Sequence, residues 1–201
     1  MKGAQLILFD FDGTLTRRDS WFDFLWFALG PWRLLAGTPR VGVHLLRLWG
    51  QGNWSNGTAK QRIMGVYFGG WPRSRLEEVA AEWTRRRLPV LLRADLLHRL
   101  REYRAAGHSV ALVSASIDLW LRPFCEHEKI DLLCTELAYR NGYFCGDFQT
   151  PNCKGPEKAR RIKAAYDLGA FGRIVAFGNS AGDREMFALA QEVWFCGIKR
   201  P

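Results

Sequence analysis

A chain of 201 residues is long enough for one well-buried α/β core with a moderate insertion, and its 29 Lys and Arg against 20 Asp and Glu leave a net charge of +9. That excess favours anionic partners, a class that includes phosphorylated metabolites, acidic lipid headgroups and nucleic acid, and charge alone does not choose among them. The five cysteines, Cys125, Cys134, Cys145, Cys153 and Cys196, are widely spaced and lack a CxxC pair, which argues against a zinc ribbon or a complete disulfide framework and for reduced thiols.

In chain order, Met1-Lys2-Gly3-Ala4 runs directly into the apolar stretch Leu6-Ile7-Leu8-Phe9, with no signal-peptide core between them, so cytoplasmic residence is the expectation. The apolar stretch reads as a short buried strand, and Asp10-Phe11-Asp12-Gly13-Thr14 follows it. Two carboxylates separated by one residue at a strand end suit a nucleophile and a general acid that face one reaction centre. The segment from Trp21 to Trp49 is crowded with Trp, Phe and Leu but is interrupted by Asp23, Gly30-Pro31, Arg33, Pro39-Arg40 and Arg47. It therefore falls short of the ~18 to 20 uninterrupted apolar residues of a membrane-spanning helix. Its first reading is a set of small helices packed on each other, and its second is a Trp- and Arg-rich face for peripheral contact with a bilayer.

Beyond the insertion, helix and strand alternate. Asp95 to Ala106 has helical spacing with Asp95 as N-cap and Gly107 as stop, and Ser109 to Val113 reads as a strand. Ile117 to Glu128 reads as a helix, Leu132 to Leu137 as a strand, and Asn141-Gly142 as the type I′ turn of a hairpin. Pro156 to Tyr166 then reads as a basic helix, Ile174 to Phe177 as a strand, Asp183 to Ala190 as a helix and Val193 to Cys196 as a last strand. Such alternation implies a doubly wound parallel sheet with its site at the carboxyl ends of the strands. Ser114, after Val113, and Gly178-Asn179-Ser180-Ala181-Gly182-Asp183, after Phe177, then fall in the same crevice as Asp10 and Asp12.

DFDGT, the Ser114-Ala115-Ser116 segment, Lys154 in Asn152-Cys153-Lys154-Gly155, and GNSAGDREM stand in the order of the four motifs of the haloacid dehalogenase (HAD) superfamily, which the chain resembles over nearly its whole length. The layout is most similar to subfamily IB, the phosphoserine phosphatase-like and phosphatidylglycerophosphatase C-like members. The resemblance implies a Rossmann-like catalytic core at 1–16 and 95–201 with a helical C1-type cap at 17–94. It implies an Mg²⁺-dependent phosphatase in which Asp10 is the nucleophile and Asp12 the general acid and base. Ser114, Ala115 and Lys154 would bind the phosphoryl group, with Lys158 as the competitor of Lys154 and Ser116 as a helix cap. Asp10, the backbone carbonyl of Asp12, Asn179 and Asp183 would supply or support the metal ligands. Asn179 stands where the common pattern has an acid, and an amide oxygen attracts the cation less than a carboxylate does.

The resemblance also offers Asp19 and Arg62 as substrate contacts, each with a plainer reading, Asp19 as the cap of the first helix and Arg62 as a solvated arginine. The substrate expected is a small or lipid-linked phosphorylated molecule, and the apolar insertion suggests the bulkier or lipid-linked kind. The contrasting class is a non-catalytic module on the HAD scaffold that binds an anionic membrane or nucleic acid. The five polar groups retained at 10, 12, 114, 154 and 183 argue against it, and no nucleic-acid partner is expected. Nothing in the sequence fixes an oligomeric state.

Overall fold

The computed structural model describes residues 3–200. In chain order its strands and helices are β1 (Gln5–Phe9), α1 (Ser20–Gly50), α2 (Asn56–Phe68), α3 (Arg73–Arg86), α4 (Leu88–Leu91), α5 (Ala94–Ala105), β2 (Ser109–Ile117), α6 (Asp118–Glu128), β3 (Asp131–Thr135), β4 (Leu137–Arg140), β5 (Tyr143–Phe148), α7 (Pro156–Ala165), β6 (Arg173–Gly178), α8 (Arg184–Phe187), β7 (Glu192–Phe195) and β8 (Ile198–Arg200).

The main sheet has the order β3-β2-β1-β6-β7-β8, parallel except for the antiparallel edge strand β8. Its centre is apolar on both faces because period-two alternation feeds two cores. Ile7 and Phe9 of β1 join the core built with α5 and α6, whereas Leu6 and Leu8 join the core that holds Ile162 of α7 and Met186 of α8. This is the doubly wound α/β arrangement expected from the sequence. The chain leaves β1 toward β2 on one side and later returns to β6 on the other, which opens a crevice beside β1 at the carboxyl ends.

The insertion between β1 and β2 forms a helical layer over that end. Its two connections run side by side, with Arg17 N–H donating to Leu91 O at 2.9 Å and Arg93 N–H to Leu15 O at 2.8 Å. α1 is broken at Gly30, whose φ of 66° lies in the left-handed region that glycine tolerates, and Pro31 starts the second half. Before the break, Trp21, Phe24, Leu25 and Leu29 are buried; Phe24 stacks on Trp120 of α6 with ring centroids 4.6 Å apart. The expected small packed helices are therefore present, but Trp32, Leu35, Leu46 and Trp49 of the second half face outward. Among the described residues no helix is long and apolar enough to cross a membrane.

Asn141 and Gly142 both take positive φ, 52° and 80°, and join β4 to β5 in the expected hairpin. This hairpin forms its own two-stranded sheet and docks on the insertion: Phe144 N–H donates to Trp71 O at 2.9 Å and Gly70 N–H to Phe144 O at 2.9 Å. Several expected boundaries shift. Arg93, not Asp95, occupies the cap position of α5, and Asp95 lies in the first turn, where a carboxylate suits the helix dipole. The helix after β6 is only four residues long, preceded by a 3₁₀ turn at Ala181–Asp183, and β8 was not evident in the sequence. Cys125, Cys134 and Cys153 are buried, Cys145 and Cys196 are exposed, and all five are free.

Gly65 of α2 lies against the hairpin so closely that a β-carbon there would stand 2.8 Å from the carbonyl oxygen of Gly146. Gly65→Ala is expected to destabilise the protein by about 1–2 kcal/mol, because overpacking against a fixed backbone outweighs the ~1 kcal/mol that helix propensity gives alanine. Thermal melts of the two proteins check this; a raised melting temperature would mean that the hairpin yields.

Candidate active site

Three adjacent strands deliver their ends to one crevice. β1 supplies Asp10 and, through the tight turn at 11–15, Asp12; β2 supplies Ser114 and Ala115; the loop after β6 supplies Asn179 and Asp183. Gly13 makes the turn possible in two ways. Its φ is 76°, and a β-carbon there would lie 2.1 Å from the amide nitrogen of Asn179, so the β1 turn and the β6 loop close on each other only across a glycine. The Thr14 hydroxyl then donates to Asp10 Oδ2 at 3.1 Å and to Asn179 Oδ1 at 3.4 Å.

Lys158 is the central cation. Its Nζ lies 2.6 Å from Asp10 Oδ1 and 2.6 Å from Asp183 Oδ1, and its side chain is only 2% exposed. Of the two lysines the sequence offered, both line the crevice, and it is Lys158 and not the preferred Lys154 that stands between the carboxylates. Lys154 precedes α7 and is exposed at the crevice rim, its stem lying across Gly182. Lys158 sits in the first turn of α7, on the same face as the buried Ile162 one turn later, so the helix aims it inward. The other oxygen of Asp183, Oδ2, accepts from Asn179 N–H at 3.2 Å, Ser180 N–H at 3.0 Å and the Ser180 hydroxyl at 3.0 Å.

These contacts set the protonation states. Burial lifts the Asp10 carboxyl to about 6 against the pull of Lys158, and the charge of Asp183 adds to the lift. Burial also works against charge on Asp183 and Lys158. For Asp183 the ammonium and the Ser180 donors outweigh it and hold the carboxyl below its ordinary value; for Lys158 the two carboxylates hold the amine above its own.

Asp12 is held from elsewhere. Its Oδ1 accepts from Ser20 N–H at 2.7 Å and its Oδ2 from the Ser116 hydroxyl. Ser116 stands within an irregularity of the β2–β3 pairing between Ser114 and Ile117, the kind of bulge that re-aims side chains beside a site. Ser116 is thus a partner of Asp12 and not a helix cap; Ile117 occupies the cap position of α6. Ser114 is buried, and its Oγ accepts from Ser116 N–H at 3.0 Å. Burial raises the Asp12 carboxyl above its ordinary range, and the nearby charge of Asp19 adds to this.

Asp19 caps α1 by accepting from Trp21 N–H at 2.9 Å, as its plainer reading has it, and it also lines the crevice. Arg62 is exposed and stands outside the crevice, as a solvated arginine would, and not where a substrate contact is expected. α2 instead presents Asn56 and Lys60, four residues apart and so on one helix face, while residue 62 lies about 200° around the helix from residue 60. Lys60 reaches to 3.7 Å from Asp19. Asn56, Lys60, Ser116 and Asn152 were missed in the sequence; only the Asn56/Lys60 spacing after a Ser55 cap signalled a shared face.

Four carboxylates in the crevice, Asp10, Asp12, Asp19 and Asp183, face three ammoniums, Lys60, Lys154 and Lys158. A phosphate dianion entering there calls for further positive charge. The donors available beside Asp10 are hard oxygens, namely the Asp183 carboxylate and the Asn179 amide; among the described residues no three His, Cys, Asp or Glu side chains stand close enough to hold a metal ion by themselves, so backbone, amide and water oxygens would have to complete a site. Such a set fits Mg²⁺, which takes one or two carboxylates and retains water, better than it fits zinc.

A doubly wound core, an Asp-x-Asp pair ending the first strand and a lysine buried between carboxylates together define a hydrolase scaffold of one kind. The chain belongs to the haloacid dehalogenase-like hydrolase family, which it matches over residues 7–188. It is 34% identical over 190 residues to Protein CicA of Caulobacter vibrioides, covering 93% of this chain and 83% of that one. Among solved structures, a protein of unknown function from Bordetella pertussis Tohama I superposes with a TM-score of 0.78 at 22% identity, over 96% of this chain and 89% of the other. A substrate-bound phosphoserine phosphatase superposes with a TM-score of 0.65 at 19% identity, over 96% and 86% of the two chains.

The raised Asp10 carboxyl makes a direct prediction. In metal-free protein its ¹³C carboxyl signal should titrate near 6, and added Mg²⁺ should move the midpoint down, because a cation favours the charged form. A midpoint in the ordinary carboxylate range without metal would mean that burial does not control this group.

Proposed function

We propose that the protein is an Mg²⁺-dependent phosphomonoester hydrolase that works through an aspartyl-phosphate on Asp10. The observation that carries this reading is the pairing of Lys158 with both Asp10 and Asp183 at the strand end, two residues from a second carboxylate, Asp12, held in a different environment. In this reading an Asp10 oxygen attacks phosphorus, and the bond from phosphorus to the leaving alcohol breaks as Asp12 gives its proton to the departing oxygen. Asp12 then takes a proton from water, whose oxygen attacks the phosphorus and releases Asp10 and inorganic phosphate. The rise of the Asp12 carboxyl through burial supports its holding a proton at the start of the cycle.

Lys158 keeps Asp10 oriented, and the Ser114 hydroxyl and the backbone N–H of Ala115 face the phosphoryl oxygens. Asp10, the carbonyl of Asp12, Asn179 and Asp183 would hold the Mg²⁺, which when bound neutralises charge shared by nucleophile and phosphate. The helical insertion acts as the cap, bringing Asn56 and Lys60 over the entering substrate. The substrate is a small or lipid-linked phosphomonoester whose leaving group meets Lys60, Lys154 and Asp19 at the crevice mouth.

Hydrolysis of p-nitrophenyl phosphate tests the assignment. Asp10→Asn should abolish turnover, Lys158→Met should lower it by about 10²- to 10³-fold, and Lys154→Ala should cost far less. Full activity in Asp10→Asn, or equal losses at both lysines in proteins that melt normally, would contradict these roles.

Asn179 allows a separate test. Asn179→Asp adds a negative charge at the metal position and should lower the Mg²⁺ concentration for half-maximal activity, whereas Asp183→Ala should raise it. Unaltered metal dependence in Asn179→Asp would remove residue 179 from the site.

A further inference from the structure

The second half of α1 is packed on one side and bare on the other. On the inner side the Tyr67 hydroxyl of α2 donates to Leu34 O at 2.7 Å, and the Tyr67 ring fills the space where any side chain at Gly37 would stand. That close approach fixes which face turns outward. The outer face carries Trp32, Leu35, Leu46 and Trp49, which are 80%, 64%, 68% and 73% exposed. Their spacing of three and multiples of three to four places them in one arc of the helix. Leu46 and Trp49 further border an apolar depression with Gly42, Leu45 and Trp54.

The charge on this face is as one-sided as its apolarity. Arg33, Arg40 and Arg47 recur every seven residues, so they form a row beside the apolar arc, and all three are exposed. Between Asp23 and Glu77 the sequence contains seven Lys and Arg and no acid. A water-facing helix ordinarily carries polar residues outward, and large apolar side chains gathered on one exposed face mark a contact surface.

We propose that α1, from Pro31 to Gly50, is a docking surface for a bilayer of anionic lipid. The helix would lie in the plane of the interface, with indole rings and leucines at the headgroup boundary and arginine heads on the phosphates beside them. A second copy of this chain fits the same surface poorly, because a two-fold contact would bring the arginine rows together with no acid to meet them. Nucleic acid would satisfy the arginines and leave Leu35 and Leu46 against a charged backbone. A lipid surface answers both features. The inference rests on this exposed face and not on the reaction at Asp10, so it is tested without Mg²⁺ or substrate.

The experiment is co-sedimentation of the full chain with vesicles of phosphatidylcholine alone and of phosphatidylcholine mixed with phosphatidylglycerol, alongside sedimentation velocity of the protein without vesicles. The protein should partition to the mixed vesicles and not to the neutral ones, and salt should weaken the partition. Arg40→Gln and Arg47→Gln should each weaken it roughly five-fold. Trp32→Ser combined with Trp49→Ser should abolish it while leaving the melting temperature and hydrolysis of p-nitrophenyl phosphate unchanged, since neither side chain packs in the core. Absence of binding to the mixed vesicles overturns the proposal, as does binding that is equal on neutral vesicles and indifferent to the arginine changes. A dimer that dissociates in the tryptophan variant without any vesicle binding overturns it in favour of contact between copies. Should the tryptophan variant unfold, the arginine variants and the salt dependence decide alone.

Discussion

One ammonium buried between two carboxylates organises this molecule. Taking charges out of water costs several kcal/mol per ion, and attraction offsets that cost only when the geometry is close and the remaining lone pairs are satisfied. Both conditions hold at Lys158: its contacts to Asp10 and Asp183 are 2.6 Å each, and the far oxygen of Asp183 accepts three donors from Asn179 and Ser180. The geometry is inherited from the sheet. β1 and β6 run parallel with Phe9 opposite Phe177, and Asp10 N–H donates to Phe177 O at 2.9 Å, so the two acid-bearing ends emerge level with each other. α7, seated on the face that holds Leu6 and Leu8, then brings the lysine down between them.

Asp12, two residues from Asp10, answers to a different part of the fold. Its carboxylate is gripped by the first residue of α1 and by the bulge in β2, and the Ser20 hydroxyl in turn meets Ser116 at 3.2 Å and accepts from the Trp120 indole at 3.2 Å. Trp120 stacks with Phe24 and packs near Trp83, so the grip on Asp12 is continuous with the packing that seats the insertion on the core. A shift of α1 would therefore be felt at Asp12 before it reached Asp10. Two carboxylates so near in sequence are given separate supports, which is how one crevice keeps unlike roles for like groups.

Much of this was legible because strand ends are punctuated. An apolar run followed by DFDGT, and another followed by GNSAGD, located two edges of the crevice, and Asn141-Gly142 located a hairpin whose φ angles are both positive. What the sequence did not resolve depends on where a helix begins. Lys154 and Lys158 both stand beside Gly155-Pro156, and only the placement of the first turn of α7 decides which one points into the core. Arg62 and Lys60 differ in the same way, by rotation about α2. Ser116 read as a cap because a hydroxyl before a helix usually is one, and the bulge that turns it toward Asp12 leaves no trace in composition.

The tryptophans show the same limit more sharply. Trp21 is buried while Trp26, Trp32 and Trp49 are exposed, although all four belong to the aromatic-rich stretch from Trp21 to Trp49. Trp26 already faces outward before the break at Gly30, so the break marks where the buried face of α1 narrows, not where exposure begins. Before it, α1 is wedged between α2, α3 and α6, where Phe24 meets Phe68, Trp83 and Trp120. After it, α2 lies behind the helix, where Gly37 leaves room for the Tyr67 ring and Leu34 and Leu48 turn inward. Trp32, Leu35, Leu46 and Trp49, on the other side of the helix, are left on the open face. Their exposure follows from how the insertion is built: the same broken helix that carries them is capped at its other end by Asp19, at the crevice.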